Sequence, residues 1–307
     1  MTIPFVPPLD DVRYGEVEWV SPLIRRVIAE NPNKYSYRGT GTYIVGQKDV
    51  VVVDPGPALD AHRDALARAL EGEHVRAILV THCHSDHSPL AAWLRAETGA
   101  PTIAYGPHGA VADEEEDEES DVKVEESIDL AFVPDVAVVD GDVVFEVGGA
   151  PMRAVHTPGH TSNHLCFSLE AEGSLFTGDH VMGWSTTVVS PPDGDMRAYL
   201  DSLAKVRGRH DQMLWPTHGN PITDVDPFLD AYLAHRVQRE QEVLSQLSGG
   251  PATIPEMVAV LYAEVREELH KAAGRSVYSH LLKLVDDGLV AAEGDEGAAL
   301  KSTYHRV

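Results

Sequence analysis

Short apolar runs alternate with amphipathic stretches in the first part of the chain. The apolar runs cover residues 50–53, 75–80 and 101–105, and each has the length of a buried β-strand. Between them, residues 59–70 and 90–98 carry apolar side chains three and four positions apart, which is typical of a helix with one buried face. The order strand, helix, strand, helix, strand predicts an α/β architecture in which helices cover a sheet.

The pattern changes near residue 136, where apolar runs follow one another closely. Runs at 136–139, 143–147 and 152–155 are separated by short turns rich in glycine and aspartate. Such turns predict hairpins, so we expect antiparallel pairing among these strands. Further strands are predicted over residues 17–27, 43–46, 165–169, 174–177 and 213–216.

The C-terminal part of the chain has a helical pattern. Apolar side chains recur with helical spacing over residues 225–247, 254–265 and 276–285. The last of these stretches ends at an Asp-Asp-Gly turn and a short β segment follows. Helix, helix and β segment with a glycine-rich tip resemble a winged-helix module. The sequence therefore predicts two domains, residues 1–225 and residues 226–307.

The densest group of chemically active side chains directly follows the apolar run 75–80. Residues 81–88 read T-H-C-H-S-D-H-S. Side chains alternate along an extended strand, so His82 and His84 are expected to point the same way and Cys83 to the opposite face. The Ser-Pro pair that follows is typical of a helix start. Three imidazoles and one carboxylate so close together predict a metal site at a strand-to-helix junction.

Three later strands also end in histidine or aspartate. The first runs into residues 156–164, which include His160, the second ends at Asp179, and the third ends at His218. Loops at one edge of a sheet converge in space, and α/β proteins place their sites at such edges. We therefore expect these residues to join the histidines of residues 81–88 in one site.

These motifs, in this order, resemble those of the metallo-β-lactamase superfamily over residues 15–225, and the H-x-H-x-D-H motif is matched in full. The resemblance implies an α/β fold, a four-layer α-β-β-α sandwich, followed here by the winged-helix-like helical domain. It also implies two metal ions: one held by His82, His84 and His160, a second held by Asp86, His87 and His218, and Asp179 as the bridge between them.

The tail and the stretch that follows Asp179 extend this resemblance. Together they are similar to the winged-helix-tailed, β-lactamase-like subgroup, which includes mitochondrial endoribonucleases and bacterial hydrolases labelled glyoxalase-like. The resemblance implies an enzyme, a metal-dependent hydrolase.

The ligand types suit hydrolysis. Imidazole nitrogens and carboxylate oxygens favour Zn²⁺, and other first-row divalent metals stay open. Two such ions, about 3.5–4 Å apart, share a hydroxide that attacks a carbonyl or a phosphorus atom. Asp86 is the candidate catalytic residue, because it can orient the water or accept its proton.

Other polar residues near the motifs are expected to support the ligands or to contact substrate. Asp54, at a strand end, is predicted to hydrogen-bond a ligating imidazole and fix its tautomer. His156 is expected to have a structural or ligand-supporting role, and His164, His180 and Trp184 are candidates for substrate contact or packing. The histidines without ligand spacing are expected at the surface: His62, His74, His108, His210, His235, His270 and His305.

The net charge of −25 restricts the partners. Binding to a polyanion requires clustered Lys and Arg, so we expect no nucleic-acid partner. Acidic residues surround the few basic side chains of residues 274–283, which favours a tail that packs on the catalytic domain, shapes the cleft or forms a homodimer. Residues 113–129 hold eleven acidic residues and one Lys, and are expected to form a solvated loop, with regulation or cation binding as the alternative.

The composition is that of an ordinary globular protein, with 43% hydrophobic and 24% charged residues. No apolar run approaches the roughly 18 residues of a membrane helix. The N-terminus lacks the basic segment and apolar core of a secretory signal. We therefore expect a cytoplasmic protein without a membrane partner, in which the two cysteines are reduced and buried.

The favoured function is a dinuclear-metal-dependent hydrolase that acts on the carbonyl of a small ester, thioester or lactone. Residues 183–189, with Trp184, one serine and two threonines, suit a mostly apolar pocket for a small acyl substrate. The alternative is a metal-dependent endoribonuclease that acts on single-stranded RNA, which requires basic and aromatic groups near the cleft. A noncatalytic binding module and a mononuclear iron oxygenase are further alternatives, and neither needs all seven ligands.

Overall fold

The computed structural model describes residues 3–109, 127–264, 270–294 and 297–307, so most of the acidic run at 113–129 lies outside the described residues. Two sheets face each other. The first contains seven strands in chain order, of which β1 to β4 pair antiparallel and β4 to β7 pair parallel. These strands are β1 (Val17–Trp19), β2 (Ile24–Ile28), β3 (Gly41–Gln47), β4 (Asp49–Val53), β5 (His74–Leu79), β6 (Thr102–Ala104) and β7 (Val136–Ala137).

The second sheet contains five strands, also side by side in chain order. They are β8 (Val143–Val147), β9 (Ala150–His156), β10 (Leu165–Leu169), β11 (Ser174–Gly178) and β12 (Met213–Pro216). Strands β8 to β11 pair antiparallel, as the hairpin signals predict, and β12 pairs parallel to β11. Helices α1 (Asp60–Ala69) and α2 (Leu90–Thr98) cover the first sheet, and α3 (Met196–Arg207) and α4 (Val225–Gln246) cover the second.

The alternation of side chains along β4 shows how the layers form. Val51 and Val53 lie in the apolar core between the two sheets, whereas Val50 and Val52 lie in the core under α1 and α2. A strand buried on both faces reads as a continuous apolar run, which is the pattern that residues 50–53 show. The predicted α/β, four-layer α-β-β-α architecture is confirmed.

Two strand predictions are wrong in detail. Residues 17–27 form two strands, because Ser21 turns the chain: its Oγ accepts hydrogen bonds from the backbone N–H groups of Leu23 (3.3 Å) and Ile24 (3.0 Å). Residues 136–139 do not form a hairpin with β8, since β7 pairs parallel to β6 in the first sheet. The next residues, including buried Val138, carry the chain across to the second sheet.

The C-terminal elements form a winged helix with its own apolar core, as predicted. Its elements are β13 (Ala252–Thr253), α5 (Ile254–Leu261), α6 (His270–Asp286), β14 (Val290–Ala292) and β15 (Thr303–Arg306), and the three strands form one small sheet. A capping box between Thr253 and Glu256 starts α5. The domain boundary between residues 225 and 226 stays a prediction; α4 contributes side chains to cores on both sides of it.

The winged helix packs on the catalytic domain through polar contacts of α6 and of the residue that follows it. Arg197 of α3 pairs with Asp287, at 2.5 Å between Nη2 and Oδ1. Arg275 of α6 donates a hydrogen bond to the backbone carbonyl of Pro191 at 3.4 Å. Across the described part of the chain, no helix combines the length and the apolar character that crossing a bilayer requires.

The turn between β9 and β10 depends on Gly159. Its φ is +134°, and a Cβ atom at this position would lie 2.3 Å from the Cα atom of Tyr199 in α3. The backbone N–H of Asp195, just before α3, donates to the carbonyl of Gly159 at 3.0 Å. The backbone that leads to His160 is therefore in direct contact with the start of α3.

We expect Gly159→Ala to reduce the free energy of unfolding by about 3 kcal/mol or more, because both the left-handed backbone and the contact with α3 exclude a Cβ atom. Thermal unfolding of the metal-free protein measures the effect. Gly72→Ala is the matched control, since Gly72 has a φ of +78° but no atom within 4 Å of its Cβ position. Strain alone costs about 1–2 kcal/mol there. Equal losses in the two variants would contradict the close packing of Gly159.

Candidate metal centre

The structure brings the seven predicted ligands together at one edge of the sandwich. Six of them are buried and Asp86 is partly exposed. Their ligand atoms form three overlapping groups, each with all atoms within 4.8 Å of one another. The groups are His82, His84 and His160; His82, His87 and Asp179; and Asp86, His87 and His218.

The first group gathers three imidazole nitrogens at the end of β5. The Nδ1 atom of His84 lies 2.9 Å from Nε2 of His82 and 3.2 Å from Nε2 of His160. Cys83 points to the other side, where its Sγ atom accepts a hydrogen bond from Asn163 at 3.0 Å. The alternation expected for an extended chain is therefore present, and it directs two histidines of the motif to the same point.

The second group places carboxylates between two imidazoles. Asp86 lies 3.4 Å from Nε2 of His87 and 3.3 Å from Nε2 of His218. Asp179 lies 3.6 Å from Nε2 of His87 and 3.4 Å from Nε2 of His218, using a different oxygen for each. Asp179 also shares a group with His82, so its carboxylate lies between the two sets of ligands.

A hydrogen-bond acceptor on the far side of the ring orients four of the five imidazoles. The Nδ1 atoms of these rings lie 2.7–3.1 Å from their acceptors. Because an Nδ1–H group is needed for these contacts, the Nε2 atom of each ring is the one that points into the site, and it binds a metal once it has lost its proton. The pairs are His82 with Thr81 Oγ1, His87 with Asp54 Oδ2, His160 with the carbonyl of Val188, and His218 with the carbonyl of Gly39.

Asp54 is the centre of this supporting network. It is 1% exposed, and its Oδ1 atom accepts the backbone N–H of Thr81 at 2.8 Å. Its Oδ2 atom accepts from the hydroxyls of Thr81 (2.8 Å) and Thr217 (3.1 Å) and from Nδ1 of His87 (2.9 Å). The carboxylate thus has the geometry that the sequence predicts, a contact with a candidate ligand ring.

Buried carboxylates and imidazoles in this group shift each other's pKa values. Burial alone raises the pKa of Asp179, but His218 and His87 hold that pKa well below its ordinary value. Burial lowers the pKa of His218, and Asp179 and Asp86 overcome this effect and raise it to about 10. Without a metal, protons on these imidazoles offset the buried carboxylates, and a bound cation replaces them.

Unsatisfied atoms support the same conclusion. Within the described residues, Nε2 of His87, Nε2 of His218 and Oδ1 of Asp179 are buried and make no hydrogen bond. Buried polar atoms without partners are costly unless something else binds them. Nitrogen and oxygen donors of these types fit first-row divalent metals, so the residues present fit the metal ions that the resemblance implies.

The remaining candidates lie around this centre at different distances. His156 is away from it: its ring stacks on Tyr105 with 4.0 Å between ring centroids. His164 lies behind His82, with 5.1 Å between ring centroids, and donates or accepts a hydrogen bond with Thr157 at 2.9 Å. His180 is buried and its ring lies 5.0 Å from that of Tyr199, which indicates packing.

A pocket opens beside the centre, and Trp184 lies in its wall. The indole ring stacks on Tyr37 with 4.7 Å between ring centroids. The other side chains around the pocket are Lys34, Tyr35, His160, Asp179, Met182, Ser185, Thr186 and Val188. A mostly apolar wall beside candidate metal ligands is typical of a site for a small organic substrate.

The expectation of surface positions is wrong for two histidines. His62 is 2% exposed and its Nε2 lies 2.9 Å from the hydroxyl of Thr42; burial lowers its pKa to about 4. His108 is 9% exposed and its Nδ1 lies 3.7 Å from Asp193. His62 lies in helix α1 and His108 in the segment after β6. The absence of ligand spacing in the sequence does not indicate whether such a ring is buried.

Sequence reasoning missed the threonines that support the ligands. Thr81, Thr157 and Thr217 each contact a histidine or Asp54, and Thr40 donates to Oδ2 of Asp86 at 2.9 Å. A signal for two of them was present, because a threonine directly precedes the histidine in T-H-C-H and in T-H-G.

Comparisons with known proteins agree with this geometry. The family model of the metallo-beta-lactamase superfamily matches residues 38–218, and that of the beta-lactamase associated winged helix domain matches residues 253–298. An atrochrysone carboxyl ACP thioesterase of Aspergillus chevalieri is 33% identical over 94% of this chain and 87% of its own length. The lactamase-like protein adaB of Aspergillus niger is 32% identical over 92% of this chain and 86% of its own length.

Solved structures show the same fold along the whole chain. A beta-lactamase domain protein from Burkholderia ambifaria has a TM-score of 0.77 at 24% identity, covering 98% of this chain and 96% of its own. A metallo-beta-lactamase family protein from Thermus thermophilus has a TM-score of 0.72 at 23% identity, covering 94% of this chain and 100% of its own. The chain therefore belongs to the metallo-β-lactamase superfamily, with the winged helix domain associated with it, and the prediction of an enzyme of the hydrolase class is confirmed.

Proposed function

We propose that the protein is a metal-dependent thioesterase that binds two first-row divalent ions, with zinc preferred, and hydrolyses a small acyl thioester to a carboxylic acid and a thiol. The observation that carries the proposal is the buried cluster of five imidazoles and two carboxylates, with unsatisfied ligand atoms, beside a pocket. The cluster supports hydrolysis, and the relatives indicate which bond is cut.

The choice of a thioester rests on the relatives and on the pocket. The Aspergillus chevalieri relative is named an ACP thioesterase, and the similarity spans both domains of this chain. Met182, Trp184 and Val188 give the pocket an apolar wall that suits an acyl group, and Ser185 and Thr186 offer hydroxyls for orientation. We propose that the acyl part of the substrate lies against this wall.

The ligand sets follow from the three groups. His82, His84 and His160 would hold one ion and Asp86, His87 and His218 the other, and Asp179, which is grouped with His82 and His87, would serve both. Divalent ions at such a site supply a Lewis acid that polarises a carbonyl and activates water.

Asp86 acts on the attacking water. Its side chain is 19% exposed, and the hydroxyl of Thr40 donates to its Oδ2 atom at 2.9 Å, which fixes the plane of the carboxylate. Burial raises the pKa of Asp86, but His87 and His218 lower it well below its ordinary value, so the group is ionised at neutral pH and can orient the water or accept its proton. In the reaction the water oxygen bonds to the acyl carbon, the C–S bond breaks, and the thiolate takes up a proton.

The basic side chains of the winged helix support an acyl substrate over nucleic acid. Lys283 of α6 contacts Glu240 at 3.0 Å and Asp287 at 2.9 Å, and Arg275 binds the carbonyl of Pro191. These two cations of α6 are therefore engaged in packing within the protein. We propose that the tail packs on the catalytic domain and does not read nucleic acid.

A substrate panel tests the proposal. Metal-loaded protein should hydrolyse acyl thioesters. Its rates toward esters and lactones with similar acyl groups serve as the comparison. Its rate of single-stranded RNA cleavage should stay at background. Removal of divalent ions with a chelator should reduce the rate by about 100-fold or more, because the ions contribute several kcal/mol to the transition state. Addition of Zn²⁺ should restore it. Efficient metal-dependent RNA cleavage at physiological salt, with the acyl panel at background, would show the proposal to be wrong.

Asp54→Asn tests the support of the ligands. An amide has one acceptor oxygen and would present an N–H group to Thr81, Thr217 or His87, so metal affinity should fall by about 10- to 100-fold. Competition with a chromogenic chelator measures it. Asp211→Asn is the control, because Asp211 is similarly enclosed, with a side chain 8% exposed, but pairs with Arg209 at 2.8 Å. If Asp54→Asn binds metal as tightly as Asp211→Asn, Asp54 does not position the ligands.

A further inference from the structure

Residues 184–188, which we call the strap, connect the pocket to a metal ligand. Its side chains at positions 184, 185, 186 and 188 line the pocket. The carbonyl of Val188, at its end, accepts the Nδ1–H of His160 at 2.7 Å. The position of the strap therefore sets both the shape of the pocket wall and the direction in which His160 presents its Nε2 atom.

Helix α4 holds the strap through two buried side chains. The hydroxyl oxygen of Tyr232 accepts the backbone N–H of Thr187 at 2.6 Å and lies 3.2 Å from the carbonyl of Ser185. Nη2 of Arg236 donates to the carbonyl of Thr187. Tyr232 is 0% exposed and Arg236 is 3% exposed. Both backbone groups of Thr187 are thus fixed by the helix that leads into the winged helix.

Thr187 also contacts the bridging ligand. Its hydroxyl oxygen lies 2.8 Å from the carbonyl of Asp179 and 3.0 Å from that of His180. Contacts from α4 therefore reach the backbone of Asp179 through Thr187. They reach the ring of His160 through Val188.

A buried arginine in this place calls for a physical explanation. In the described part of the chain its contacts are the carbonyl of Thr187 and the ring of Tyr199, 5.1 Å from the guanidinium carbon. A guanidinium is costly to bury without a carboxylate partner, so an apolar side chain would pack here at lower cost. What arginine adds is a directional hydrogen bond to one carbonyl of the strap.

We propose that Tyr232 and Arg236 form a clamp that positions His160 for metal binding, so that α4 controls the affinity for one of the two ions. The inference rests on the proposed function for the presence of the metals, and it does not depend on the substrate. Among the ligands of the other ion, His87 and His218 are oriented by Asp54 and Gly39, outside the strap. His160 belongs to the ligands of one ion alone, whereas the contact of Thr187 with Asp179 reaches both ions. The clamp therefore affects the ion of His82, His84 and His160 more strongly than the other, which a general loss of stability does not.

The test compares variants of α4 and its contacts. Tyr232→Phe removes one hydroxyl and keeps the ring, Arg236→Met removes the guanidinium, and Arg236→Lys keeps a donor. Arg207→Met is the matched control: Arg207 joins α3 to Asp226 (3.1 Å) and Asp230 (2.7 Å) of the same helix without contacting the strap. Zn²⁺ affinity at each position is measured by chelator competition, and the ligand geometry is followed by the absorption spectrum of the Co²⁺-loaded protein.

We expect Tyr232→Phe and Arg236→Met to weaken the Zn²⁺ site of His82, His84 and His160 by about tenfold or more and to change the Co²⁺ spectrum. Arg236→Lys should recover part of that affinity, and Arg207→Met should match the unmodified protein. Should Arg236→Met fail to fold, Tyr232→Phe decides the matter by itself.

Unchanged affinity at both sites in Tyr232→Phe, or equal weakening at both sites, overturns the clamp and leaves the proposed function intact. An unmodified protein that binds no divalent metal overturns both. Loss of thioester hydrolysis is not used as a readout, so failure of the substrate assignment does not affect the result.

Discussion

The site depends on one buried carboxylate that joins the two sheets. Asp54, at the end of β4, accepts hydrogen bonds from Thr81 after β5, from Thr217 after β12, and from His87. Strand β12 belongs to the second sheet and the others to the first, so this network fixes the facing edges of the sandwich relative to each other. Two of the strand ends that carry candidate ligands, those of β5 and β12, are thereby held at one point, and the apolar layers behind them supply the rigidity.

Hydrogen-bond acceptors behind the candidate ligands occur all around the centre. Imidazoles that point inward need acceptors behind them, and the chain supplies a carboxylate, a threonine hydroxyl and two backbone carbonyls. These acceptors decide the tautomer of each ring before any metal binds. The cost is a buried group of ionisable side chains with unsatisfied atoms, and a bound cation relieves it. Stability and metal binding are therefore coupled in this fold. Helix α4 takes part in this coupling through its contacts with the strap.

Much of this arrangement was predictable, because it is encoded locally. Continuous and alternating apolar runs predicted the layers, and the spacing in T-H-C-H-S-D-H predicted which side chains share a face. Apart from the local turn at Ser21, the errors concern contacts between distant segments. The strand at 136–137 pairs with β6 although its neighbour in sequence is β8, and His62 and His108 are buried by packing that spacing does not report. The contact of Arg236 with Thr187 joins residues 49 positions apart, and no motif marks it.

The central claim is that seven side chains hold two ions with Asp179 between them. Anomalous diffraction at the zinc edge, from crystals of the zinc-loaded protein, tests it most directly. The account predicts two peaks, one among His82, His84 and His160 and the other among Asp86, His87 and His218, with the Asp179 carboxylate in contact with both. A single peak in fully loaded crystals, or two peaks of which one lies outside these residues, would contradict it.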